Sequence, residues 1–215
     1  MPALGRRAGA WTTPIVLGVS ALVLGSACIV ARGPLPGDVL VSRMLQSSFG
    51  AAPEWASTLT WTAKSPLVWY TLVAGVILAW LRAGSAGTVA TVVAFGAVRA
   101  IDPLLRSVTH VPKPDPELVA VAAVSESSGL PSTFALVYGA VFAATLMRAR
   151  HGDALALVVA GIGITALVAG SAARIVLGGH WTSQMIASLC LAFAVALTVE
   201  RLWSASTLGR RLDGV

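Results

Sequence analysis

Six long stretches carry no charged residue at all. They lie between Arg7 and Arg32, Lys64 and Arg82, Arg82 and Arg99, Glu126 and Arg148, Asp153 and Arg174, and Arg174 and Glu200. About 20 apolar residues in helical form cross the hydrocarbon core of a bilayer, and only a helix or a closed barrel satisfies its own backbone there. The apolar gaps therefore predict an all-α, polytopic membrane bundle of about six transmembrane helices, at 11–31, 65–81, 83–99, 129–147, 154–173 and 181–199. Charge is scarce everywhere else too, at 11% of 215 residues, against about 25% in soluble domains. Disorder, coiled coil and an ordinary soluble enzyme are excluded on that ground. A single membrane domain over 1–215 is expected, with the lipid bilayer as its first partner.

Two stretches are not spans. Segment 37–64 places Leu40, Met44, Leu45, Trp55, Leu59 and Trp61 among Arg43, Gln46, Pro53 and Glu54, which predicts an amphipathic helix or helical pair on the outer membrane surface. Segment 102–128 holds Pro103, Pro112, Pro114 and Pro116 and is expected as an ordered outer loop. Six spans put both termini on one side, with Arg6, Arg7, Arg82, Arg148, Arg150, Arg201, Arg210 and Arg211. The other side has Arg32, Arg43, Lys64 and Lys113 once Arg99, Arg106 and Arg174 are set aside as functional, so cytoplasmic termini in the plasma membrane are expected. The net charge of +6 is scattered, with no basic run, so no nucleic acid is expected as a partner. Cys28 and Cys190 lie in apolar segments and read as small hydrophobes. The run Gly161, Gly163, Ala166 and Gly170 reads as close helix packing, and His151 as a solvated residue of an inner turn. No metal-ligand or nucleotide-loop pattern occurs, and no cofactor is expected.

Arg99, Arg106, Ser132, Thr133, Arg174 and His180 all fall at the outer ends of the third to sixth spans. Charged groups at span ends converge readily in a bundle and mark functional sites. Three guanidiniums bind a tetrahedral anion through forked hydrogen bonds, and a helix start after Pro131 adds backbone N–H groups and hydroxyls. A histidine beside such a clamp is placed to attack phosphorus. The assembly reads as a phosphate site facing the outer leaflet.

At these residues the chain resembles the type 2 phosphatidic acid phosphatase superfamily of membrane lipid phosphatases. Its first motif is a basic residue, six residues, then Arg-Pro; Arg99 and Arg106 keep the spacing, with Ser107 in place of Pro. The second is Pro-Ser-Gly-His or Pro-Ser-Thr-His; Pro131-Ser132-Thr133 matches, and Phe134 stands for the His. The third is Ser-Arg, five residues, His, three residues, Asp; Ala173-Arg174, His180 and Gln184 keep every spacing, with Ala for Ser and Gln for Asp. The resemblance implies that Arg99, Arg106, Arg174, Ser132 and Thr133 bind the phosphoryl group and that His180 forms a phosphohistidine. It also implies that the leaving-group acid is lost at Phe134 and the orienter is reduced to a weak hydrogen-bond acceptor at Gln184. A general acid contributes about 100- to 10,000-fold, most where an alkoxide leaves, so a pyrophosphate is the favoured substrate of an active enzyme. Glu126 and His110 are candidate substitute acids in the outer loop.

Two readings follow. One is an outer-leaflet phosphatase of a polyprenyl or glycerolipid phosphate or pyrophosphate. The alternative is a catalytically silent relative that binds such a lipid as a scaffold or subunit, with a partner membrane protein or a second copy of itself. A transporter or channel would need polar residues at mid-membrane, and the span centres are apolar.

Overall fold

The computed structural model describes residues 3–147 and 154–213, and every regular element among them is helical. The predicted inner turn with Arg148, Arg150, His151 and Asp153 lies outside the described residues. Helix α1 is Ala3–Ala31, α2 Asp38–Phe49, α3 Glu54–Trp61 and α4 Leu67–Val108. Then come α5 Thr133–Phe142, a 3₁₀ turn Ala143–Leu146, α6 Ala154–Val176, α7 Thr182–Ala205 and α8 Thr207–Asp213. Among the described residues, four helices are long and apolar enough to cross a membrane: α1, α4, α6 and α7. The molecule is a helical membrane protein.

The 42-residue α4 covers two expected spans, and it is broken where they meet. Gly84 takes φ 62, ψ −142, a conformation that favours glycine. The arms on either side fold back on each other. Trp69 and Phe95 lie with ring centroids 5.7 Å apart, where a straight helix would separate them by about 39 Å. The turn is so tight that a Cβ on Gly87 would come within 2.7 Å of the Ala79 carbonyl oxygen.

The second arm runs to Val108, so the outer loop starts at Thr109 and not at 102 as expected. Asp102 and Arg106, one turn apart, pair at 2.8 Å and hold that last stretch helical despite Pro103. The expected span 129–147 is also shorter as a helix. It begins at Thr133, because Pro131 precedes the cap and Ser132 is the N-cap, its Oγ accepting from the Ala135 N–H at 3.4 Å. Every residue of α5 from Phe134 to Phe142 is buried, as suits a helix apolar all round. It packs against α4, α6 and α7, and α1 packs along α7.

Segment 37–64 is a helical pair, with its polarity reversed from a surface helix. Asp38, Ser42 and Thr60 face inward, while Leu40, Met44, Trp55 and Trp61 face outward. Both helices pack on α6. From α2, Gln46 holds the loop between α4 and α5 at both the N–H and carbonyl of Ala120 and also reaches the Val176 carbonyl (2.7–3.1 Å). The α6 glycines do serve packing: a Cβ on Gly163 would lie 1.8 Å from Thr145 Oγ1, and one on Gly170 2.7 Å from the Phe134 ring. Gly161 is open, with nothing within 4 Å.

Candidate active site

The C-terminal ends of α4 and α6 and the N-terminal ends of α5 and α7 meet at one end of the bundle. They enclose a cavity of about 420 Å³ bordered by Arg106, Lys113, Thr133, Phe134, Arg174 and His180. Thr60 and Lys64, from α3 and the turn after it, close one side. Among the described residues, four cations and no carboxylate border this space.

His180 lies in the short 177–181 connection between α6 and α7, one residue before the Trp181 N-cap. Gly178 has φ 63, and a Cβ there would lie 2.3 Å from the Ala120 carbonyl oxygen. Gly179 leaves room for Arg174, whose Nη2 would be 2.7 Å from an added Cβ. The His180 imidazole is buried, with Nδ1 2.9 Å from the Gly129 carbonyl oxygen. A carbonyl only accepts, so Nδ1 carries the proton and Nε2 holds the lone pair in the neutral ring. Burial first, then the Arg174 guanidinium, pushes the His180 pKa well below its ordinary 6.5.

The hydrogen-bond partner of His180 is thus the Gly129 carbonyl, where Gln184 was expected. Gln184 makes no hydrogen bond to His180 among the described residues: its Oε1 accepts from the Trp181 N–H at 3.2 Å and its Nε2 donates to the Pro112 carbonyl at 2.9 Å. As the third residue of α7, its side chain reaches back to an N–H orphaned at the helix start.

The cations differ in how occupied they are. Arg106 donates to Asp102 Oδ1 (2.8 Å), the Ser128 carbonyl (2.8 Å), the Pro131 carbonyl (2.5 Å) and Thr133 Oγ1 (2.9 Å). Four of its five N–H groups are thus committed to the protein. Thr133 in turn donates to Asp102 Oδ2 at 2.5 Å. Arg174 is the opposite case, with Nε buried and without a hydrogen-bond partner among the described residues. A buried, unsatisfied charged donor costs about 1–3 kcal/mol, which is the state of a group waiting for an anion. Arg174→Met is accordingly expected to lower kcat/KM about 100- to 1,000-fold while raising stability by about 1 kcal/mol. Thermal unfolding and turnover measured on one preparation check this opposition of sign.

Ser132, Arg99, His110 and Glu126 lie elsewhere. Ser132 is fully buried, its N–H donated to Ser188 Oγ at 2.8 Å and its own Oγ spent on the cap. Arg99 is exposed, two turns before Arg106, and does not border the cavity. His110 and Glu126 line a neighbouring outer-loop cavity of about 480 Å³, and neither borders the one that holds His180.

Lys113 is the residue that sequence reasoning missed. It borders both cavities, and its Nζ donates to Ser125 Oγ (2.9 Å) and Ser127 Oγ (2.6 Å). The signal was present one register along. Arg106, six residues, then Lys113-Pro114 keeps the spacing and the proline of the first motif, with Lys for Arg. Phe134 forms wall, its ring stacked on Tyr138 at 4.1 Å.

Comparison of the sequence with protein-family models and with curated proteins finds no match. The structure does match a solved one, the first transmembrane PAP2 type phosphatidylglycerolphosphate phosphatase from Bacillus subtilis. The TM-score is 0.66 at 16% sequence identity, over 88% of this chain and 95% of that one. The chain therefore has the fold of a type 2 phosphatidic acid phosphatase-like membrane protein.

Proposed function

We propose that the protein is an outer-leaflet lipid phosphatase, one membrane domain crossing six times with cytoplasmic termini in the plasma membrane. Its substrate is a polyprenyl or glycerolipid phosphate or pyrophosphate. The observation that carries the reading is His180, its Nδ1–H on the Gly129 carbonyl, in a cation-lined cavity with Arg174, whose Nε has no hydrogen-bond partner among the described residues. His180 Nε2 attacks phosphorus, Nδ1–H stays on the Gly129 carbonyl, and Arg174 takes the phosphoryl oxygens. Lys64, above the Trp61 ring at 5.1 Å, draws the headgroup in. The fold similarity to a phosphatidylglycerolphosphate phosphatase supports a lipid phosphate over a soluble one.

The test is ³²P-labelled lipid mono- and pyrophosphate supplied to the protein in liposomes, quenched in alkali. The expected result is phosphate release and an acid-labile, base-stable label on His180. Release with no label on His180 overturns the mechanism. Absence of release from every substrate, with lipid-phosphate binding that Arg174→Met abolishes, establishes instead the silent binding reading, which the loss of a histidine at Phe134 favours.

A further inference from the structure

The proposed reaction lacks a proton donor. With an alkoxide leaving, the departing oxygen must be protonated, and Phe134 stands where the acid is expected. Among the side chains bordering the cavity, the guanidiniums of Arg106 and Arg174 do not release a proton in proteins. His180 is engaged as the nucleophile. Two ammonium groups remain, Lys64 and Lys113. Lys64 is exposed and sits over the Trp61 ring. Lys113 is half-buried, and its charge is felt at His180.

We infer that Lys113 is the general acid of this site, protonating the lipid oxygen as His180 displaces it. The inference rests on the phosphatase reading above. Two of the three protons on Nζ are held by Ser125 and Ser127, so one N–H is left for the substrate. Burial, followed by the positive charges of Arg174 and Arg106, draws the Lys113 pKa below its ordinary value, which makes the ammonium a better acid. The two departures from the motifs then compensate. A histidine that can give a proton is replaced by Phe134, and an arginine that cannot is replaced by Lys113.

The step balances. A bond forms from His180 Nε2 to phosphorus, the phosphorus–oxygen bond to the lipid breaks, and a Lys113 proton passes to that oxygen. The resulting neutral amine then takes a proton from water as the water oxygen attacks phosphorus. The nitrogen–phosphorus bond breaks, and inorganic phosphate leaves with the ammonium restored.

The experiment is a leaving-group series on the full protein in liposomes, with an alkyl phosphate and aryl phosphates of equal chain length graded in leaving-group pKa. Lys113→Arg keeps the charge and removes the transferable proton. Its loss in kcat is expected at about 100-fold or more for the alkyl ester, and under about tenfold for a nitroaryl ester. An equal loss across the series overturns the proposal and leaves Lys113 as a phosphate ligand. So does a leaving-group effect that appears in Lys64→Arg instead. If Lys113→Arg is inactive on every ester, Lys113→Ala is assayed with added methylamine: concentration-dependent rescue supports the acid role, and no rescue overturns it. Full activity in His180→Ala would overturn the phosphatase mechanism itself, separately from the role of Lys113.

Discussion

His180→Asn is expected to lower phosphate release by at least about 10,000-fold, the scale seen when a covalent nucleophile is removed. Asparagine keeps a side-chain N–H for the Gly129 carbonyl, which the imidazole now holds at 2.9 Å. The 177–180 turn and the Arg174 pocket can therefore persist while the attacking lone pair is gone. The same variant is expected to change how stability depends on pH. The folded protein keeps His180 neutral well below 6.5, by burial and then by the Arg174 charge. The unfolded chain takes up a proton near 6.5, so below that pH it binds more protons than the native state. The His180 contribution is fully present above about 6.5 and is lost as pH falls towards the depressed native value. Wild type should lose thermal stability between pH 7.5 and 5 more steeply than His180→Asn. Parallel slopes for the two proteins would show that this imidazole is not held neutral by the fold.

How much of this was legible beforehand varied with the physics behind each feature. The apolar helices were readable because a hydrocarbon solvent tolerates no charge, so the gaps between charges outline them directly. The break between 65–81 and 83–99 was placed by Arg82 alone, and the structure puts the turn two residues on, at Gly84. The pairing of Arg174 with His180 was readable from spacing, because α6 and the five-residue connection to α7 bring both to one cavity. Of the expected pair Arg99 and Arg106, only Arg106 borders the cavity. Arg99 lies two turns down α4, whereas Lys113 reaches the cavity by way of the loop after Val108. Spacing of seven fits both Arg99 with Arg106 and Arg106 with Lys113, and a proline follows only Lys113. The hydrogen bonds of Gln184 were not readable at all, since they depend on where the Pro112 carbonyl comes to rest. Segment 37–64 was read as amphipathic, but in a bilayer the apolar side of such a pair can point out to lipid and the polar side in to the protein.

Asp38 shows what that reversal achieves, and Asp38→Ala is expected to be among the most destabilising changes in the chain. Its carboxylate is buried at the start of α2. Oδ1 accepts the Ser183 N–H at 2.8 Å, and Oδ2 accepts both the Ser183 hydroxyl at 2.6 Å and the Leu35 N–H at 2.8 Å. Ser183 is in the first turn of α7, where N–H groups have no partner within the helix and the end of the dipole is positive. A carboxylate contributed by α2 thus caps α7 from outside, three residues after His180. Alanine would leave the buried N–H and hydroxyl of Ser183 and the half-buried N–H of Leu35 without an acceptor, at a cost of about 3–5 kcal/mol. In a chain of this size that corresponds to a fall on the order of 10 °C in Tm. Ser183→Ala keeps the N–H bond and loses only the hydroxyl, so it should cost about 1 kcal/mol. Activity at a temperature where Asp38→Ala remains folded should also drop, because the α7 start that it caps holds the loop bearing His180. If Asp38→Ala unfolds no earlier than Ser183→Ala, the carboxylate is not the cap of α7, and the coupling between the outer helical pair and the site would have to run through Gln46 and the outer loop instead.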